Sequence, residues 1–476
     1  MLFPTFTFFI FFVLVLILNW QLKTKPALWR IFLLLTSYFF YAAWSLPLTL
    51  LLFLVSVLNF YTGKIIEWQV SEKKKWIMGG AVALNLLVLA FFKYYNFFRE
   101  SAEALFKVLG FSPDIFLLNI LLPIGLSFYI LRAISYNIDI FRGRIKSEKS
   151  MLDFLIYIAF FPQLFSGPIM RPAEFLPQLK NGGAKTIDNA PEYLSLILGG
   201  LFKKVVIASY LTVNLVDDAF SVPQNHSALF ILLAIYAYAI VIYCDFSGYS
   251  DLAIGVAGLM GFKSPRNFNT PYLAISFQDF WQRWHITLSN WLRDYVYIPL
   301  GGNRKGELRR KMNAVFTMLA SGLWHGVGLH FVFWGLLHGA GLVLSRAKPQ
   351  ASEKPELKLS RKITLFIEKF SVWFITFNAI CFSWVFFRSE TIKDGLLLLK
   401  QLFNFRAAAE PIPLYVIYFI FFGFILFFAG NFIQKFFIAV YQKLSFGFQI
   451  VLVSAIVILI LKLGPDIIPP FIYFKF

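Results

Sequence analysis

The sequence predicts an all-α polytopic membrane protein, and three observations carry that prediction. Hydrophobic residues make up 59% of the 476 residues, and Asp, Glu, Lys and Arg together only 14%, against about a quarter in soluble domains. Mean hydropathy is +0.69. The apolar residues also gather into runs long enough to cross a bilayer, which takes roughly 20 residues per helix. A chain this long and this poor in charge could not cover a water-facing surface. Backbone in lipid must then close its hydrogen bonds within helices. A secreted domain, a disordered protein and a soluble Rossmann or barrel enzyme are excluded.

Taken in order, the apolar runs lie near 3–20, 28–45, 47–63, 77–98, 115–138, 151–167, 193–216, 228–260, 312–345, 363–388, 413–433 and 447–464. Several are too long, too short or too polar for one simple crossing. The expectation is about ten or eleven transmembrane helices plus re-entrant or amphipathic pieces. No internal repeat is visible, and 1–476 reads as a single membrane domain with its chemical centre at about 241–345. The hydrophilic segments 65–75, 139–150, 168–192, 262–272, 300–311 and 346–362 are short. A polymeric substrate would have to be held by another subunit.

Charge sets the orientation. Met1 to Trp20 lacks the basic start and small-residue cleavage site of a removable signal. No Lys or Arg precedes that run, whereas Lys23, Lys25 and Arg30 follow it. The next loop, at 45–47, is uncharged, and the third carries Lys64, Lys73, Lys74 and Lys75. The excess of cations on cytoplasmic loops places the N-terminus outside, in a multi-pass topology. The net charge of +19 reads as this bias together with contact to anionic membrane lipid. Nucleic-acid binding is not expected, because no soluble basic domain is present. The 59 Phe, 21 Tyr and 12 Trp suit lipid-facing surfaces and interfacial belts. Cys244 and Cys381, both in apolar runs, read as buried free thiols.

Two stretches depart from lipid-facing composition. Tyr243 to Asp251 reads YCDFSGYSD. A charge at membrane depth costs at least about 2.5–3.5 kcal/mol unless sheltered, so Asp245 and Asp251 should face the protein interior or a wet cavity. There they would either order helices through hydrogen bonds or touch substrate or donor. The second stretch, 277–297, reads FQDFWQRWHITLSNWLRDYVY. Trp281, Trp284, Leu288, Trp291, Leu292 and Tyr295 recur at helical spacing, with Arg283, Asn290, Arg293 and Asp294 opposite and His285 at the border. A single amphipathic helix is expected, lying at an interface or lining a cavity. The following IPLGGNRK ends it in a turn. Its basic residues suit the cytoplasmic face or the phosphates of a nucleotide-bearing donor.

Residues 321–328 read SGLWHGVG. Glycines around a histidine break or kink a helix, and an ionisable residue at membrane depth is a functional candidate. Its imidazole accepts a proton near neutral pH. His330 and His338 do not share a helical face with His325. No HExxH or Cys/His cluster is present, so no metal site is expected. No nucleophile elbow, Walker loop or GxGxxG precedes a helix. From these residues alone, an enzyme or a transporter could own the site.

DFWQRWHITLSNWLRDYVYIPLGGNRKG, followed by GLWHG, resembles the membrane-bound O-acyltransferase (MBOAT) family. More narrowly it is similar to the branch that serves bacterial alginate O-acetylation. The likeness extends to MLFPTFTFFIFF, LPIGLSFYILRAISYNIDIFRG, FFPQLFSGPIMRP, LFKKVVIA, YCDFSGYSDLAIG and WVFFR, and so spans the chain. The resemblance implies a ring of helices around a central tunnel and acyl transfer to a hydroxyl. It implies His325 in the WHG motif and His285 in the RWH motif as catalytic residues, with Trp324, Asp245, Asp251, Asn290 and Arg293 supporting the site or tunnel. It implies no bound cofactor, acetyl-CoA as cytosolic donor, and a bacterial plasma (inner) membrane location. The absent ectodomain then implies an SGNH-type periplasmic or extracellular acyltransferase partner and an exopolysaccharide acceptor. The terminal FIYFKF, residues 471–476, is similar to tails of this branch. It is either an interfacial anchor or a segment folded back into the tunnel, with Tyr473 carrying or positioning the acyl group. D-alanyl transfer to teichoic acid is the alternative within the family, and a glycan-precursor transporter the alternative of another class. Lipid O-acylation is disfavoured by the whole-chain pattern.

Overall fold

The computed structural model describes residues 3–110, 120–187, 189–345, 359–405, 412–465 and 467–474. The start of the run near 115–138, most of the segment 346–362, and Lys475 and Phe476 of the aromatic tail lie outside them. Among the described residues the regular structure is helical and no strand occurs. Among the described residues seven helices are long and apolar enough to cross a membrane: Leu46–Trp68, Lys73–Val108, Ala190–Ser221, Ala228–Leu259, Ile363–Arg388, Leu414–Lys443 and Phe446–Leu463. Phe6–Leu22, Pro26–Ala42 and Leu329–Leu344 are shorter apolar helices.

The described chain forms two compact units, one from 1–193 and 253–265, the other from 194–252 and 266–476. In the first, α1 (Phe6–Leu22), α2 (Pro26–Ala42), α3 (Leu46–Trp68), α4 (Lys73–Val108) and α5 (Leu126–Phe141) follow the apolar runs. Thr5 caps α1, its hydroxyl accepting from Phe8 N at 3.2 Å, while Pro26 opens α2, where a missing N–H costs nothing. Polar side chains hold these helices together. Asn59 donates to Asn85 Oδ1 at 3.0 Å, and Asn137 donates to Asn59 Oδ1 at 2.6 Å. Hydrocarbon provides no competing partner for such groups. The run 151–167 does not form one crossing. It divides at Phe160 into α6 (Met151–Ala159) and α7 (Phe161–Leu164), followed by α8 (Pro172–Lys180).

The second unit carries every described candidate residue. It contains most of α9 (Ala190–Ser221) and α10 (Ala228–Leu259), then α11 (Phe277–Trp281), α12 (Ile286–Leu292), α13 (Gly306–His325), α14 (Leu329–Leu344), α15 (Leu359–Arg388), α16 (Ile392–Gln401), α17 (Leu414–Lys443) and α18 (Phe446–Leu463). Its helices meet through glycines. A Cβ at Gly200 of α9 would lie 2.7 Å from Gly248 O of α10, and one at Gly248 would lie 2.8 Å from Gly200 O. The run 312–345 splits at 326–328 into α13 and α14. A Cβ at Gly322 would lie 2.3 Å from Phe331 O, and one at Gly335 2.5 Å from Met318 O. The small residues let backbones touch where dispersion, not water, drives association. Cys244 and Cys381 are buried free thiols, as expected.

The single amphipathic helix expected over 277–297 is not formed. The chain breaks at His285, which has φ 42° and ψ 53°, and 293–297 widens into a π turn. Left-handed backbone costs a residue with a Cβ about 1–2 kcal/mol. Tertiary hydrogen bonds to Asn267 offset that cost, as described below. Residues 298–305 turn as expected.

The reciprocal glycine contact makes a prediction. Gly200→Leu drives side-chain atoms into α10, and overpacking costs about 1–3 kcal/mol. The variant is expected to unfold several degrees below wild type in a detergent thermal-shift assay, whereas Gly199→Leu, whose Cβ meets nothing within 4 Å, is not.

Candidate active site

The close approach of α9 and α10 sets two adjacent lysines against two carboxylates. Lys203 pairs with Asp251 and donates to Ser247 Oγ at 3.0 Å. Lys204 lies 2.5 Å from Asp245, and these two residues are only 2% and 3% exposed. A buried pair is tolerable only when its other donors and acceptors are also used. Here the C-terminal segment uses them. Lys204 Nζ donates to Pro469 O at 2.8 Å and to Pro470 O at 3.4 Å. Asp245 Oδ2 accepts from Ile472 N at 2.8 Å. Phe471, fully buried, packs against Tyr249 with ring centroids 4.3 Å apart.

This anchorage delivers Tyr473 to His325. The tyrosine hydroxyl is 3.1 Å from His325 Nδ1, and its ring lies 4.8 Å from that of Phe246. His325 is the last residue of α13, and Gly326 turns the chain into extended conformation. A helix C-terminus favours positive charge, the charge an imidazole acquires on taking a proton. Trp324, Trp334 and Phe387 wall the imidazole at centroid distances of 4.9, 5.1 and 5.2 Å. His325 itself is 3% exposed.

His285 is fully buried and sits across Trp324, with ring centroids 6.1 Å apart. Asn267 holds it. The Asn267 amide donates to Ser250 Oγ at 3.0 Å, so its carbonyl oxygen faces the histidine. That oxygen accepts from Thr287 N at 3.3 Å, Thr287 Oγ1 at 2.9 Å and His285 Nδ1 at 3.2 Å. The backbone carbonyl of Asn267 accepts from Ile286 N at 2.9 Å. His285 therefore carries its proton on Nδ1 in the neutral ring, and Nε2 is the basic nitrogen.

The fold thus brings together Asp245, His285, Trp324, His325 and Tyr473. Asp251 shares α10 with Asp245 but faces Lys203. Asn290 is half-buried on α12, and Arg293 is exposed and paired with Asp294 at 2.8 Å. His330 Nδ1 donates to Phe386 O at 2.9 Å, and His338 Nε2 lies 2.8 Å from Ser383 Oγ. Both are tied into helix packing. No group of three or more His, Cys, Asp and Glu side chains among the described residues is placed to hold a metal.

Lys204 and Asn267 were not singled out from the sequence. Lys203 and Lys204 interrupt an apolar run just as Asp245 and Asp251 do, and matched opposite charges at membrane depth were a usable signal. Asn267 gave none, because an asparagine in a hydrophilic loop looks like any turn residue.

A polytopic membrane enzyme of the acyltransferase class is what this fold and site define. The chain belongs to the membrane-bound O-acyltransferase family, whose family model matches residues 142–387. It is 38% identical over 379 residues to a probable alginate O-acetylase of Pseudomonas aeruginosa, covering 79% of this chain and 70% of that one. It is 37% identical over 407 residues to a peptidoglycan O-acetyltransferase of Helicobacter pylori, covering 79% and 73%. A teichoic acid D-alanyltransferase of Streptococcus thermophilus is 31% identical over 301 residues, covering 57% and 68%.

Removing one partner of a buried ion pair costs about 3–5 kcal/mol, because a charge is left unpaired. Asp245→Asn is expected to release the tail. A cysteine at position 473 in an otherwise cysteine-free chain should react with a maleimide at least tenfold faster in that background. Asn267→Ala is expected to destabilise the fold by about 1–3 kcal/mol through the donors it leaves unsatisfied, measured as a lowered midpoint in detergent unfolding.

Proposed function

We propose that this acyltransferase takes acetyl from acetyl-CoA on the cytoplasmic side and passes it outward for O-acetylation of an alginate-like exopolysaccharide. The single observation that carries the reading is Tyr473 Oη at 3.1 Å from His325 Nδ1. A hydroxyl becomes a nucleophile when an adjacent base takes its proton, and this pair has that geometry. In the first step His325 Nδ1 accepts the Tyr473 proton as Oη attacks the thioester carbonyl. The C–S bond breaks, the thiolate leaves with the proton from His325, and an acetyl ester remains on Tyr473. In the second step an acceptor hydroxyl attacks that ester and Tyr473 regains its proton. His325 acts as general base in both steps.

Supporting roles follow from position. Trp324, Trp334 and Phe387 keep the imidazole dry, which strengthens every electrostatic contact in the site. Asp245, with Lys204, seats the tail. His285, held with its proton on Nδ1, offers Nε2 as an acceptor and in that tautomer does not donate to an oxyanion. Backbone N–H groups suit that task. Asp251 and Arg293, paired with Lys203 and Asp294, and Asn290 on α12 are given no role at the reacting atoms. The names of the O-acetylating relatives support acetyl as the group transferred. The short hydrophilic segments support an SGNH-type partner on the outer side that completes transfer to the glycan. The cation bias of the first loops supports an N-terminus outside, and the bacterial relatives support a bacterial plasma membrane. D-alanyl transfer is a second reading, favoured by the 31% identical relative.

Membranes containing the protein and its partner, supplied with labelled acetyl-CoA, test this reading. His325→Ala is expected to cut transfer to the glycan by a factor of about 10²–10⁴ at equal protein level. Tyr473→Phe is expected to abolish both transfer and the labelled tyrosyl ester detected by mass spectrometry. Full transfer by Tyr473→Phe would remove the covalent step, and full transfer by His325→Ala would remove the base. Label accepted only from a D-alanyl carrier protein would select the second reading.

A further inference from the structure

The second unit also contains a cavity of about 450 Å³, within the size of small-molecule sites. Its lining combines two chemistries. Lys203, Arg266, Asp251 and Ser247 are among its polar residues. Asp251 pairs with Lys203, so these ionic residues, two cations and one carboxylate, are net positive. Arg266 is exposed and presents a planar fork that matches phosphate oxygens in pairs. Much of the apolar lining comes from α17 and α18, through residues such as Phe422, Ile433 and Leu459. These helices are long and apolar enough to cross a membrane.

We propose that this cavity binds one anionic phospholipid, with the phosphate on Arg266 and Lys203 and an acyl chain along α17 and α18. Basic pockets between spanning helices select such headgroups, and an apolar wall removes the chain from competition with water. Coenzyme A also carries phosphates. The apolar wall contributed by two spanning helices is what favours a lipid over that polar molecule. Two glycines, Gly199 and Gly430, line the cavity, and a Cβ at either meets nothing within 4 Å. The space is therefore available to a ligand chain or to an introduced side chain. The inner wall gives occupancy a consequence. Phe268 lines the cavity and stacks on His285 with ring centroids 6.5 Å apart. The lipid would press on the ring that backs the second histidine of the site.

Full-length protein, delipidated in detergent, tests this by native mass spectrometry and thermal shift with added dioleoylphosphatidylglycerol, dioleoylphosphatidylcholine or coenzyme A. Wild type is expected to retain one phosphatidylglycerol per chain and to gain stability from it, with phosphatidylcholine retained at least tenfold less. Gly430→Phe, which fills the cavity, is expected to lose that retention while keeping wild-type elution and midpoint in phosphatidylcholine. Gly199→Leu is the second filling variant if Gly430→Phe does not fold. Arg266→Glu is expected to reduce phosphatidylglycerol retention tenfold or more without changing the phosphatidylcholine result. Equal phosphatidylglycerol retention by wild type and the folded variants would overturn the proposal. So would protection by coenzyme A alone that a filling variant removes, because the cavity would then belong to the donor.

Discussion

The buried pair of Lys204 and Asp245 is the interaction on which the active site depends. Two charges withdrawn from water are stable only when they face each other and when their remaining donors and acceptors are also used. Lys204 spends its other protons on the carbonyls of Pro469 and Pro470, and Asp245 spends its second oxygen on the amide of Ile472. The need to satisfy a charge pair therefore recruits residues 469–472 into the interior. Proline carbonyls fit the task, since a proline has no N–H of its own to satisfy. Everything downstream follows, including the insertion of Phe471 and the placement of the Tyr473 hydroxyl on His325. The pair in turn depends on Gly200 and Gly248, because any larger residue there would push α9 away from α10.

The histidines are sorted by their hydrogen-bond partners. His330 and His338 each engage an oxygen of α15, Phe386 O and Ser383 Oγ, and thereby bind α14 to that helix. His285 is fixed by Asn267 and held in an unfavourable backbone conformation, a common feature of positions where geometry serves a site. His325 meets the tail hydroxyl through its ring nitrogen. Aromatic rings of Trp324, Trp334 and Phe387 surround its imidazole, and the tail brings a hydroxyl to it.

The tail also bears on how an acyl group could be moved through a water-poor interior. A hydroxyl carried on the protein itself is positioned in advance, and such positioning removes much of the entropic cost of bringing reactants together. The ion pair of Lys204 and Asp245 holds the segment that carries this hydroxyl, and the hydroxyl lies 3.1 Å from His325 Nδ1. Phe268 lines the neighbouring cavity and also stacks on His285.

Composition by itself determined the solvent. With 14% charged residues the chain had to be helical and membrane-embedded, and the apolar runs located most helices because lipid forces each span to satisfy its own backbone. The polar interruptions at Asp245 and His325 were legible for the same reason, since each stands out against a hydrocarbon background, whereas His285 and Tyr473 were singled out through the resemblance of their motifs. What tertiary structure decided was which of these meet. Periodicity made 277–297 a continuous helix, yet four hydrogen bonds from an asparagine in a separate loop outweigh the local preference and break it at His285. The partner of Asp245 proved to be a lysine 41 positions earlier, and the final seat of Tyr473 lay 148 positions from its own place in the chain. Local patterns report on the surroundings of each residue one at a time. Pairing of buried charges is a property of two segments together, and no single stretch of sequence contains it.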